Sequence, residues 1–251
     1  MTEHADRRLY ATWRHPGGLI HPVGLLTRLV SDHPEGKVSF RFVYLKVAEQ
    51  IDGFRHLPGL PDLHAVYEDD DLFPVFRNRQ MPRRRPDYED YVRELDLDVG
   101  CDPFEVLARS EGRRATDRIE VFAYPERTPE GDIKMLFFAR GIRHLDGAAA
   151  AVSEVQRGDV LNLVDDPDNE VNPRAMLMSN RTGQSVGWVP NYLVDMIHEL
   201  RESFDVDVEI TAEHVNSETT PPHMRLLCRL LAPWPDGYEP LSAPEFQPIV
   251  S

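Results

Sequence analysis

Prolines (21) and glycines (15) fall along the whole 251-residue chain as turn punctuation. The spaces between them suit short strands and short helices, and no low-complexity block or internal repeat breaks the pattern. Residues 9–30 read as strand, Pro-Gly-Gly turn, strand, which is a hairpin signal. Residues 37–48 alternate apolar and polar positions, with Val38, Phe40, Phe42 and Tyr44 on one side, as in a strand with one buried face. A proline-bearing loop follows over 54–63. Helical periodicity then runs from Asp87 to Leu97, with Tyr88, Tyr91, Val92 and Leu95 on one side and carboxylates in the first turn. A second short helix is expected over 102–112, where Asp102 caps it, Pro103 takes its first position and a glycine closes it. Residues 119–125 read as a strand.

The stretch Glu126–Lys134 is polar, turn-forming and free of apolar periodicity. It suggests two domains, an N-terminal α+β domain over 1–131 and a β-rich one over 132–251, an α+β class for the whole chain. In the second, strands are expected over 135–145, 160–166, 175–180, 184–190, 206–215 and 223–232, with one amphipathic helix over 191–203. Short strands at a spacing of roughly 8–12 residues suggest a small barrel or sandwich.

Hydrophobic residues make up 41% of the chain and aromatics 9%, too rich for a disordered polymer and enough for a proper core. No apolar run follows the first residues, and no window approaches the roughly 20 apolar residues that cross a bilayer. A cytoplasmic protein without a membrane partner is expected. Cys101 and Cys228 lie far apart without a CxxC, so neither a disulfide framework nor a zinc site is indicated. The net charge is −15. Residues 132–251 carry 9 Lys+Arg against 19 Asp+Glu, and residues 1–131 carry 19 against 24. Gripping duplex DNA through its phosphates takes a basic face. Binding of nucleic acid by the C-terminal half must therefore rest on stacking and a few placed hydrogen bonds.

Three blocks in the C-terminal half carry a resemblance. They are Gly141–Gly147 (GIRHLDG), Asp166–Met176 (DPDNEVNPRAM) and Thr182–Ile197 (TGQSVGWVPNYLVDMI), with a Pro-Pro-His-Met at 221–224 before the last long strand. Together, in this order, they resemble the HIRAN domain family. The resemblance implies a modified, OB-like barrel that binds single-stranded DNA and contacts a free 3′ hydroxyl. By the same resemblance Arg143 meets a phosphate, His144 and Leu145 occupy the base-stacking positions, and Asn169 and Asn172 bond the terminal sugar and base. Arg174 and Trp188 complete the implied DNA-binding set. The family's usual pair of tyrosines is His144-Leu145 here, its usual Asp is Asn172, and Arg174 stands where it has Asn before Ala175. Stacking on an aromatic ring supplies roughly 1–3 kcal/mol per base, so one lost platform lowers affinity about tenfold or more. Another reading stays open: Asp-Pro-x-Asn loops are turn formers, so both asparagines can simply shape a loop. Gly187, Trp188 and Pro190 can hold the fold rather than a ligand.

In the N-terminal half, Arg77, Arg79, Arg83, Arg84 and Arg85 are interleaved with Phe73, Phe76 and Tyr88, and Arg113, Arg114 and Arg118 follow. Planar guanidinium groups beside aromatics suit phosphate and base recognition, which makes the first five with Arg113 and Arg114 candidate phosphate contacts. Pairing with Asp69, Asp70, Asp71, Asp87, Glu89 and Asp90 is the alternative. The opening strand with Trp, the Val-Gly-Leu hairpin and the stretch 72–79 (LFPVFRNR) also resemble the first N-terminal subdomain of HipA-type proteins. That likeness implies a partner-docking fold and no catalysis, since no glycine-rich phosphate loop, HRD-like loop or DFG is present.

The sequence has no GxxxxGK[ST], HExxH, GxSxG or clustered Cys/His. Two acid-x-Lys triplets, Glu35-Gly36-Lys37 and Asp132-Ile133-Lys134, have the spacing of a metal-dependent nuclease but read as turns. The expectation is a non-enzymatic protein without cofactor or metal, binding single-stranded or end-bearing DNA in repair, replication or defence, with a helicase, nuclease or other protein as partner. The competing class is a protein-interaction module whose acidic face takes a basic partner.

Overall fold

The computed structural model describes residues 7–31 and 36–250. The chain forms two compact units, and both are discontinuous in sequence. The first comprises residues 1–88, 100–124 and 241–251, and the second residues 89–99 and 125–240. Strands and helices mix in both, and every sheet is antiparallel.

The first unit is built on a five-stranded sheet. Strands β1 (Arg7–Arg14) and β2 (Ile20–Val30) form the hairpin expected from the Pro-Gly-Gly turn. Strand β3 (Val38–Tyr44) pairs with β2, and the short β4 (Tyr67–Asp69) lies beyond it. Helix α1 (Pro74–Arg77) follows; α2 (Tyr88–Glu94) belongs, beyond Tyr88, to the second unit; α3 (Pro103–Ser110) and β5 (Ile119–Ala123), which pairs with β1, complete the first. The sheet order is β4-β3-β2-β1-β5. Period-two alternation aims Leu9 and Ala11 at one face with Phe42, Tyr44, Phe76, Phe104 and Leu107, all buried. The opposite face is covered too: Tyr10 stacks on Phe122 at 5.4 Å and meets Phe246 edge-on at 5.2 Å. Residues 241–251 thus return to the first sheet, where Ile249 donates its N–H to the Tyr44 carbonyl at 2.8 Å.

Helix α3 starts as its sequence predicts, with the Asp102 carboxylate accepting the Phe104 N–H at 2.8 Å and Pro103 following. Its end differs from the expected glycine closure. Glu111 itself takes the left-handed conformation (φ 57°), and Gly112 follows with φ 56°. The proline loop is pinned by one phenol: Tyr44 Oη accepts from Leu57 N and donates to Leu60 O, both at 2.6 Å. Burial pushes the Tyr44 hydroxyl well above the usual tyrosine range.

The second unit holds two sheets. Strands β6 (Glu126–Arg127), β7 (Asp132–Phe138), β11 (Glu209–Val215) and β12 (Leu226–Pro233) form one, in the order β11-β12-β7-β6. Strands β8 (Asn162–Asp165), β9 (Met176–Ser179) and β10 (Ser185–Trp188) form the other, in the order β10-β9-β8. Between them run α4 (Ala148–Ser153) and α5 (Asn191–Ser203). The amphipathic α5 buries Leu193, Val194, Met196, Ile197 and Leu200, as its pattern predicts. The segment Glu126–Lys134 is a hairpin of β6 and β7, so Asp132-Ile133-Lys134 lies in a strand and not in the expected turn. The other acid-x-Lys triplet includes Glu35, outside the described residues.

The two sheets touch through isolated bridges, Arg140 with Trp188 and Val160 with Thr211. These single pairs are not continuous ladders, so the barrel implied by the family resemblance is not closed. Residues 89–99 are fastened to this unit by Asn216, whose Nδ2 donates to the carbonyls of Glu94 and Met224, each at 2.7 Å. Among the described residues no helix is long and apolar enough to cross a membrane.

Replacing Tyr44 by Phe removes one hydroxyl that serves two buried backbone groups. An unsatisfied buried group costs about 1–3 kcal/mol. Tyr44→Phe is expected to lower the free energy of unfolding by that order, read as a lower urea midpoint with little change in slope.

Candidate nucleic-acid interface

Two glycines allow the end of β7 to close on β10. Gly187 has φ 141°, and a Cβ there would stand 2.8 Å from the Arg140 carbonyl oxygen. Arg140 and Trp188 consequently exchange both backbone bonds at 2.8 Å. Gly141, with φ 69°, lies against the Trp188 ring, where a Cβ would come within 2.3 Å of Cε3. A side chain at either position would break the clasp.

The clasp holds the turn that carries the first predicted site residues. Residues Ile142–His144 form one turn of 3-10 helix, with Ile142 buried as its anchor and Arg143 and His144 exposed. Arg143 Nε–H donates to His144 Nε2 at 2.9 Å. Leu145 is half-buried beside them. The turn packs against α4, β10 and the 3-10 turn Pro222–Met224.

Trp188 links this turn to the loop between β8 and β9. Its indole N–H donates to Asp166 Oδ2 at 2.8 Å, and the same oxygen accepts from Asn169 Nδ2 at 3.0 Å. Asn169 Oδ1 accepts the N–H groups of Val171 and Asn172 at 3.1 and 3.2 Å. Asn172 Oδ1 accepts the Arg174 N–H at 2.9 Å, and its Nδ2 lies 3.5 Å from Asn191 Oδ1. Both asparagines are half-buried, and their carbonyl oxygens shape the loop. Arg174 is exposed and turns toward α5, with Nε 3.1 Å from Asp195. His198, buried on α5, lies 3.0 Å from the Arg174 carbonyl through Nε2.

Trp188, Asn169, Asn172 and Arg174 are thus linked in sequence through Asp166 and the loop, and the turn that carries Arg143, His144 and Leu145 adjoins the Trp188 ring at Gly141. Sequence reasoning missed Asp166 as the hub. Its acid heads the 166–176 motif, but its indole partner lies 22 residues further on. Among the described residues no group of three His, Cys, Asp or Glu is placed to hold a metal ion.

The arginines of the first unit differ from one another. Arg79 is buried: its guanidinium holds Asp117 at 2.7 and 3.0 Å and the carbonyls of Gly112 and Ile119 at 3.0 Å. It ties the β5 region together and is turned away from any phosphate. Arg85 is exposed and bidentate to Asp87 at 2.7 and 2.9 Å, which holds that carboxyl below the usual range. Arg83 donates to the Cys101 carbonyl at 2.8 Å, and Arg113 lies 3.2 Å from the buried Glu120. Arg77, Arg84 and Arg114 stand exposed on the surface.

The fold and this clasped pair of loops define a small β-rich module with two helices, set inside a larger mixed chain. Residues 134–234 match the family model described as HIRAN domain. The match lies wholly within the second unit. Among solved structures, the HIRAN domain of human HLTF is similar at 15% identity and a TM-score of 0.32, covering 42% of this chain and 81% of that one. A protein from Lactobacillus plantarum is similar at 14% identity and a TM-score of 0.34, covering 41% of this chain and 97% of that one. No curated protein matches the chain.

Gly141→Ala tests the clasp. A non-glycine residue in the left-handed region costs roughly 1–2 kcal/mol, and the added methyl displaces the indole. In a Trp13→Phe, Trp234→Phe background, Gly141→Ala is expected to red-shift Trp188 emission and to unfold at a lower temperature.

Proposed function

We propose that the HIRAN segment binds DNA without altering it covalently, taking the end of a single strand at the turn that carries Arg143. The HIRAN match supports a DNA-binding role. The observation that carries the finer reading is the exposed Arg143–His144 pair, held on a turn that Gly141, Trp188 and buried Ile142 fix in place. A guanidinium held this way is poised to take a phosphate through its remaining N–H groups, and His144 offers one flat ring to a base. The half-open pair of sheets serves as the OB-like groove, with Leu145, Trp188 and the 166–174 loop as its wall. Asn169 and Asn172 then act chiefly by shaping that loop. In the first unit the exposed Arg77, Arg83, Arg84, Arg85 and Arg114, with half-buried Arg113, remain candidate phosphate contacts. DNA repair, replication or defence is the setting such a module serves, beside a helicase or nuclease.

Charge favours a second reading. Residues 89–99 and 125–240 carry 11 Lys+Arg and 25 Asp+Glu, whereas the first unit carries 17 and 18. A unit with nearly all of the net negative charge also suits a basic protein partner, and the first unit would then dock another protein as the HipA-like resemblance implies.

Fluorescence anisotropy with short oligonucleotides carrying a free or a phosphate-blocked 3′ end separates the two. The DNA reading expects binding to the free end, weakened by the block. It also expects Arg143→Ala to raise Kd about tenfold or more, the weight of a hydrogen bond to a charged group. One or two phosphate contacts give a shallow salt dependence, a log–log slope of about −0.7 to −1.4. Indifference to the block removes the end-binding mechanism, and no binding at all leaves the protein-partner reading.

A further inference from the structure

His144 is paired in a way that depends on its protonation. An N–H donor aimed at an imidazole nitrogen requires a lone pair there. The Arg143 Nε–H to His144 Nε2 bond, at 2.9 Å, is therefore one that only an unprotonated Nε2 can accept. Adding a proton to Nε2 abolishes that acceptor. The bond breaks, and an imidazolium stands beside a guanidinium on an exposed turn. Two adjacent cations repel unless an anion sits between them. A phosphate oxygen is such an anion, and it accepts from both groups at once.

We propose that Arg143 and His144 form a proton-linked phosphate clamp, in which binding of a DNA phosphate draws a proton from solvent onto His144 Nε2. This rests on the DNA-binding reading above. Among side chains, histidine is the one that ordinarily gains a proton between about pH 5 and 8. The surroundings leave few rivals for the effect. On its own turn His144 is flanked by Arg143 and, two residues on, by Asp146. Helix α4 (Ala148–Ser153) and strand β10 (Ser185–Trp188), both packed against the turn, contain no titratable side chain. The third neighbour, the 3-10 turn Pro222–Met224, contributes His223.

Anisotropy titration of a short fluorescein-labelled oligothymidylate with a free 3′ end tests it. Wild-type affinity is expected to rise about tenfold as pH falls from about 8 to about 5.5, the value of one added charge-assisted hydrogen bond. His144→Gln is expected to bind weakly with a nearly flat pH profile, and His144→Lys tightly with an equally flat one. His223→Gln is expected to keep the wild-type slope. Imidazole nitrogen shifts of the free protein at about pH 8 are expected to show His144 protonated at Nδ1. A slope that survives in His144→Gln, or a His144 protonated at Nε2 in the free protein, overturns the clamp while leaving DNA binding intact. Absence of binding by wild type at every pH overturns the DNA reading and the clamp with it.

Discussion

The second unit depends on two main-chain hydrogen bonds between Arg140 and Trp188. Among the described residues they are the backbone pair that joins the end of β7 to β10 and so brings the two sheets together at this edge. Their length of 2.8 Å requires a close backbone approach that a Cβ at residue 187 would prevent. From this pair the rest of the site follows in order. The chain must turn immediately at Gly141, the indole must lie under that turn, and its N–H must then find Asp166 at 2.8 Å. Arg143 and His144 face solvent because Ile142, between Gly141 and the pair, is the residue the turn buries. The exposed Arg143–His144 pair and the buried clasp are two sides of one short helical turn.

Much of this was legible in the sequence wherever the signal was local. The Pro-Gly-Gly hairpin, the Asp102–Pro103 start of α3 and the apolar face of α5 each declare themselves within a dozen or so residues, because caps, turns and periodicity act at that range. The three HIRAN blocks were legible as residue types, and the structure supplies the reason for their glycines. Where physics acts over long separations the sequence is silent. Arg79 reads as a member of a basic cluster, yet its partner Asp117 lies 38 residues away, and burial beside Gly112 makes it structural. The four alanines of α4 are strong helix formers, but the run is only six residues, has no capping side chain and buries little beyond Val152, so its signal is weak. The glycine expected to close α3 is preceded by Glu111 in the left-handed conformation, a position that propensity assigns to glycine or asparagine. Asp132 and Lys134 look like turn residues by composition, but pairing with β6 and β12 draws them into a strand.

Charge follows the same division between local and long-range order. Along the linear chain the acidity is spread over both halves, 19 and 24 carboxylates in 132–251 and 1–131. Grouped by compact unit it separates sharply, because residues 89–99 bring five acids and a single arginine to the second unit. A site that must attract phosphate in such a unit cannot work through net charge. It has to work through one or two side chains borne on a backbone already fixed before the ligand arrives, so that only their own rotamers remain to be ordered on binding. The clasp beneath Arg143 meets that requirement.

The return of residues 241–251 to the first sheet has a bearing on how the molecule is made. A ribosome releases β1 to β5 long before the strand-like segment that hydrogen-bonds Tyr44 and covers Tyr10, so the sheet begun first is finished last. Until then one flank of Tyr10 and Phe122 stays open to water, and the nascent chain has to carry that wet aromatic surface through the synthesis of the whole second unit.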